Sequence, residues 1–172
     1  FSVRCRVMDR SSLQDVVVIA NPFEGQGTEA SPYLIKEPKH LVRLAELCSG
    51  AAITDNNEDF TTAHYALANN INMLNVAISP ITPFKGTFDG KDNTISNLKV
   101  TPANAAPTGM FGVLTGATVK NLNLSSVTVL VTETAQLFTG GIAGKATNST
   151  ISNVKIEGSV SSAANGAASF NT

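Results

Sequence analysis

Asp89 and Asp92 flank Gly90-Lys91, with Lys85 and Lys99 close by in the chain. Two carboxylates beside a lysine could do acid/base work on a glycosidic bond, one protonating the leaving oxygen while the other attacks or activates water. The same residues have a plainer reading, because Asp-Gly and Asp-Asn are favoured bend formers. Too few acids lie elsewhere in this half of the chain to make a second pair. Asp89, Lys91 and Asp92 are therefore candidates for ligand binding, and no catalytic set is assigned. Asp55, Asn57 and Asp59 have the spacing that opens a calcium loop, but Phe60 stands where that loop needs Gly and Ala66 where it needs its closing Glu. His40 and His64 form no metal-binding pattern and are expected at the surface or in a cap. No phosphate-binding Gly-Lys-Ser/Thr loop and no Gly-x-Ser-x-Gly elbow occur. No metal and no cofactor is expected. Cys5 and Cys48 either pair with each other or remain thiols.

The composition that surrounds these residues is unusual. Of 172 residues, 15% are charged, where roughly 25% is usual. Asn, Ser, Thr and Gly supply the polarity instead. That disfavours a helical bundle, whose wet faces need Glu, Lys and Arg, and favours a turn-rich all-β chain. Nine acids and six Lys/Arg fall in residues 1–82, against four acids and six Lys in 83–172. A net charge of −1 argues against nucleic-acid binding. No apolar run is long enough to span a bilayer.

The N-terminal region reads as short elements. Phe1–Val7 alternates like a strand, Asp9–Gln14 like a linker, and Val16–Ala20 like a second strand. Residues 1–20 are read as a strand and linker, the tail of a preceding domain, and 21–172 as one domain. Gly25–Pro32 is a Gly/Pro-punctuated loop, and Tyr33–Ile35 follows as a strand. Pro38 opens a helix predicted over 38–49, with Leu41, Leu44, Leu47 and Cys48 on one face and Gly50 as its stop. Tyr65–Ile71 is strand-like, and Ala163–Thr172 reads as an edge or tail.

The second half repeats. Shifted by 32 positions, Gly109 and Gly112 fall on Gly141 and Gly144, and Asn121 on Asn153. Val119, Leu122 and Leu124 fall on Ile151, Val154 and Ile156. A third copy, Thr94-Ile95-x-Asn97-Leu98-x-Val100, lies 24 positions before the first. Repeats are thus placed near 84–101, 109–129 and 141–161. Apolar residues three apart share a face only if the chain turns between them. Asn tolerates the left-handed backbone such a corner needs. Asn97, Asn121 and Asn153 are therefore expected to stack in one ladder, with the four glycines at a second corner. Short strands with stacked corners describe a parallel β-helix, since one coil cannot bury its inner face alone. The longer offset predicts a loop near Glu133–Phe138. Helix 38–49 is placed to cover the N-terminal edge. No cap is visible after Val160, so packing end to end, or against a further domain, is expected at that C-terminal edge.

Gly109-Met-Phe-Gly112 and Gly141-Ile-Ala-Gly144 resemble the signature of GLUG-motif repeats. Pro83–Gly90 followed by Thr94–Leu98 is similar to the stretch that introduces them, and Gly25–Ile35 with the following helix to the segment upstream. The resemblance covers about residues 22–162. It implies a β-helical module of a large secreted or cell-surface bacterial protein, as in adhesins and the non-catalytic parts of some immunoglobulin-cleaving peptidases. Relatives often carry Asp-Ile-Asp where this chain has Asn70-Ile-Asn72, so those carboxylates are missing here. Phe1–Cys5 resembles the end of another bacterial surface-domain family.

These readings converge on an all-β, right-handed parallel β-helix with an N-terminal capping helix. The expected role is non-enzymatic adhesion or presentation at the bacterial cell surface. Its partner would be a host glycan or an extracellular protein, with no nucleic acid and no membrane span. A carbohydrate-active β-helix enzyme and a purely structural spacer are the alternatives.

Overall fold

The computed structural model describes residues 3–4, 17–54, 56, 58–74, 76–101, 106–131 and 138–162. Its elements in chain order are β1 (Val3–Arg4), β2 (Val17–Ile19), β3 (Tyr33–Ile35), α1 (Pro38–Ser49), β4 (Ala52–Thr54), β5 (His64–Leu67), β6 (Ile71–Asn72) and β7 (Ala77–Ile78). They continue with β8 (Thr87–Asp89), β9 (Thr94–Ser96), β10 (Lys99–Val100), β11 (Phe111–Thr115), β12 (Thr118–Val131), β13 (Ala143–Thr147) and β14 (Thr150–Ser162). The expected linker, the Asp55 and Asn57 positions, the body of the 133–138 loop and the 163–172 tail lie outside the described residues.

The strands stack in parallel as a β-solenoid of about four turns. Tyr33, Tyr65, Phe88, Val119 and Ile151 succeed one another on one face. Ile71, Ile95, Leu124 and Ile156 form a second face. Ile78, Val100, Val129 and Val160 form a third. A fourth is closed by β11 on β13, with Phe84 bridging to Leu114. The side chains between these faces make one continuous core in which Phe84, Phe88, Phe111, Ile95, Leu98 and Leu122 are fully buried. Phe84, Phe88 and Phe111, near the corners, thus fill the core.

The expected helix occurs with its expected bounds. Pro38 occupies its first turn, and Gly50 takes the left-handed conformation with φ 73° just past its end, its N–H reaching Leu47 O. Leu41, Leu44, Leu47 and Cys48 face inward and join the core, and the helix packs against β4 and β7. His40 is a correction. It is buried rather than superficial, because Phe23 packs edge-on against its ring, Lys36 N–H donates to Nδ1 at 3.2 Å, and Nε2 lies 3.3 Å from Glu37. The N-terminal segment is not separate along its whole length, since β2 pairs in parallel with β4 and antiparallel with β1.

The register corrects the repeat at its third copy. Phe88 stacks beneath Val119, and Ile95 beneath Leu124, not beneath Val119. Asn97 therefore occupies the corner between the second and third faces, one corner further along the coil than Asn121 and Asn153. Both corners put an apolar–x–x–apolar step across a left-handed residue: φ is 56° at Asn97, 52° at Asn121 and 51° at Asn153. The local pattern reports that a corner exists, and says nothing of which corner of the coil it is.

The four glycines are also used differently from expectation. A Cβ on Gly144 would lie 2.3 Å from Thr108 N, and one on Gly112 would lie 2.8 Å from Thr82 Cβ. On Gly109 it would stand 2.7 Å from Gly140 O, and on Gly141 3.2 Å from Ile156. Close approach, not a left-handed turn, excludes side chains at Gly109, Gly112 and Gly144. The corner itself falls at Gly116, φ 63°, and one coil later at Asn148, φ 51°.

Candidate functional site

The sequence candidates gather at the corner between the first and second faces. β8 delivers Asp89, and the chain then turns through Lys91 (φ 50°) and Asp92 (φ 60°) before β9. Gly90 permits this, because a Cβ there would lie 2.2 Å from Asn121 O in the next coil. Corners of β12 and β14 place Asn121 and Asn153 above it.

The ladder that results has a carboxylate at its foot. Asn153 Nδ2 donates to Asn121 Oδ1 at 2.9 Å, and Asn121 Nδ2 donates to Asp89 Oδ1 at 3.1 Å. Asp92 Oδ1 also accepts from Asn153 at 3.2 Å, and Asp92 O from Asn123 Nδ2 at 2.9 Å. A separate rung joins Asn97 Nδ2 to Asn72 Oδ1 at 2.9 Å, one corner away. Asn70 Oδ1 accepts from Thr94 N–H at 2.8 Å. The neutral residues of Asn70-Ile-Asn72 therefore bind the coil above them.

Asp89 is largely buried. Lys91 Nζ stands 3.3 Å and Lys120 Nζ 3.7 Å from its Oδ2, and Lys91 N–H donates to its Oδ1 at 2.9 Å. Burial works against the charge, but the bonds from the Lys91 backbone, the Asn121 amide and the Lys91 ammonium outweigh it and hold the carboxyl below its usual value. A carboxyl so held donates no proton near neutrality. Asp89 acts here as a fixed anionic acceptor, while the exposed Lys91 and Asp92 present charge to solvent. The corner offers a narrow strip of amides, two carboxylates and two ammonium groups.

The other candidates stand apart. Asp59 accepts from the backbone N–H and hydroxyl of Thr61 at 2.9 and 2.6 Å, and the hydroxyl bond leads in holding its carboxyl below the usual range. Among the described residues no group of three or more His, Cys, Asp or Glu is placed to share a metal ion. Cys48 is buried, its thiol pushed up to about 12, chiefly by desolvation and then by Asp59. Its Sγ lies 3.8 Å from Phe60 O, and Cys5 lies outside the described residues. No helix among the described residues is long and apolar enough to cross a membrane.

The part played by Asp89 as the foot of the ladder is not among the expectations from sequence. Its signal was present: Asp89 and Asn121 are separated by the same 32 positions as Asn121 and Asn153. Asp and Asn share the acceptor geometry, so a comparison that equated them would have found the third rung.

No family model matches the chain, and no solved structure matches it. Among curated proteins it is similar to Halomucin of Haloquadratum walsbyi, with 32% identity over 117 residues. That stretch covers 62% of this chain and 1% of Halomucin, so the chain spans only a small piece of the relative it matches.

Proposed function

We propose that the chain is a non-enzymatic module of an extracellular or cell-surface protein, which presents a stiff polar face to a glycan or an extracellular protein. The observation that carries this reading is the ladder corner: its carboxylates and amides are spent on joining coil to coil. Such a corner stiffens a rod and leaves a repeated strip of donors, acceptors and ammonium groups outside. Similarity to a stretch of a far longer protein named a mucin suits a module set within a surface chain. The order of the Gly-x-x-Gly segments supports a kinship with the bacterial GLUG repeats.

Two finer architectural readings belong here. The coil is right-handed, by the general hand of parallel crossovers. Helix α1 covers the N-terminal edge, a reading supported by the complete burial of Leu41 and Leu44 on a helix packed against β4 and β7. The test of function is an array of glycans and extracellular-matrix proteins probed with the folded chain. Selective binding that weakens when Lys91 and Lys120 are replaced by Gln is expected. A blank array would overturn the binding role and leave a spacer.

A further inference from the structure

Two segments fit the acceptor pattern for N-linked glycans, Asn123-Leu124-Ser125 and Asn148-Ser149-Thr150. Sequence alone ranks them equally. The fold does not.

Asn123 lies within β12, which is paired on both sides, opposite Thr94 of β9 and Lys155 of β14. Its amide nitrogen is already engaged, donating to Asp92 O at 2.9 Å. A transferase must seat the acceptor amide and the hydroxyl two residues on in its own groove. Here that would require breaking the Asp92 bond and parting strands on either side.

Asn148 lies between β13 and β14, at the exposed corner of the last described coil. Lys145 to Asn148 and Thr150 are all exposed. The corner is held by the residue between the two that the reaction needs. Ser149 Oγ donates to Thr147 O at 2.9 Å and accepts from Ala117 N–H at 3.2 Å. The Asn148 and Thr150 side chains are thereby left to solvent, while Thr150 N–H, at the very start of β14, donates to Ala117 O at 2.8 Å. One coil below, the same corner is Gly116, and a Cβ built there would meet nothing within 4 Å. This corner column projects into open space, with room for a bulky substituent.

We propose that Asn148 is a site of N-linked glycan attachment and that Asn123 is not. The donor is an oligosaccharide carried on a lipid pyrophosphate. The Asn148 amide nitrogen forms a bond to the anomeric carbon, the bond from that carbon to the phosphate oxygen breaks, and the lipid pyrophosphate leaves. The amide proton passes to a base of the transferase. The proposal rests on the extracellular reading above, because the donor and its transferase act on exported chains.

The experiment exports the full chain from a host with an oligosaccharyltransferase, with a reporter acceptor sequence appended in a flexible tail. Glycopeptides are mapped by mass spectrometry. Glycan is expected on Asn148 and the reporter, with Asn123 bare. Asn148→Gly and Thr150→Ala should each abolish the Asn148 glycopeptide. Asn148→Gly should fold normally, because glycine accepts the left-handed corner as Gly116 does below it. A bare Asn148 beside a decorated reporter would overturn the proposal, as would glycan on Asn123. The reporter separates failure of the site from failure of the location, which fractionation of the native cells tests independently.

Discussion

Asn121 shows how much one side chain carries in a stacked coil. It adopts φ 52°, donates to Asp89 and accepts from Asn153. Asn121→Ala loses both bonds and keeps the left-handed strain, so a loss of about 2–3 kcal/mol is expected by urea denaturation. Asn121→Gly relieves the strain and should cost about 1 kcal/mol less. Equal losses would mean that the corner conformation contributes nothing. Titration gives a second test. The folded carboxyl of Asp89 sits below its ordinary value, so its stabilisation is present above about pH 4 and is lost as pH falls through the folded value. The melting temperature should drop as pH falls below about 4, and Asp89→Asn should flatten part of that drop. Cys48 acts at the other end. Its thiol is held neutral up to about 12 when folded, against about 9 ordinarily, so stability is full below about pH 9 and declines above it. Cys48→Ala should shallow that alkaline decline.

At the scale of elements, two glycines of successive coils have opposite reasons. Gly144 sits in β13 with Thr108 N and Pro107 C within 2.5 Å of any added Cβ. Both obstacles are backbone and cannot rotate away, so Gly144→Ala should displace β13 and cost several kcal/mol, about 3 or more. Gly116 has open space around it but φ 63°, so Gly116→Ala should cost only about 1–2 kcal/mol. Thermal melts of the two variants give the comparison, and equal shifts would contradict it. The helix was legible from Pro38, the leucine spacing and Gly50, because a helix is specified by its own residues. The third repeat copy was not. Ile95-x-x-Leu98 and Val119-x-x-Leu122 describe the same local turn, while the hydrogen-bonded register to the next coil assigns each to its face.

At the scale of the whole molecule, the solenoid is uneven from end to end. Val119, Leu124 and Val129 are at most 1% exposed, whereas their counterparts Ile151, Ile156 and Val160 on the last described coil are 41%, 40% and 37% exposed. Phe138, on the same coil, is 67% exposed. The difference is one of position, since among the described residues the last coil has a neighbouring coil on one side only. Ile156→Lys should therefore change stability by less than about 1 kcal/mol, while Leu124→Lys should unfold the protein. Urea titrations of the two variants decide this. An Ile156→Lys variant as damaged as Leu124→Lys would show that Ile156 is covered. The low charge content belongs to this scale too. Charges at equivalent positions would stand about 4.8 Å apart from coil to coil, and the Asn side chains replace that repulsion with hydrogen bonds.

The amino-acid sequence by itself determined the elements: the helix, the corners at Asn97, Asn121 and Asn153, and the two 32-spaced coils. Each depends on residues close together in the chain, through apolar spacing, left-handed tolerance and capping. Tertiary structure decided everything that depends on which coil lies above which. It set Asp89 instead of Asn97 at the foot of the ladder and made Gly109, Gly112 and Gly144 matters of close approach. It also separated two identical acceptor patterns, one locked in paired strands and one open at a corner. Such distinctions are made by backbone hydrogen bonds between residues some 30 positions apart, and no local pattern carries them.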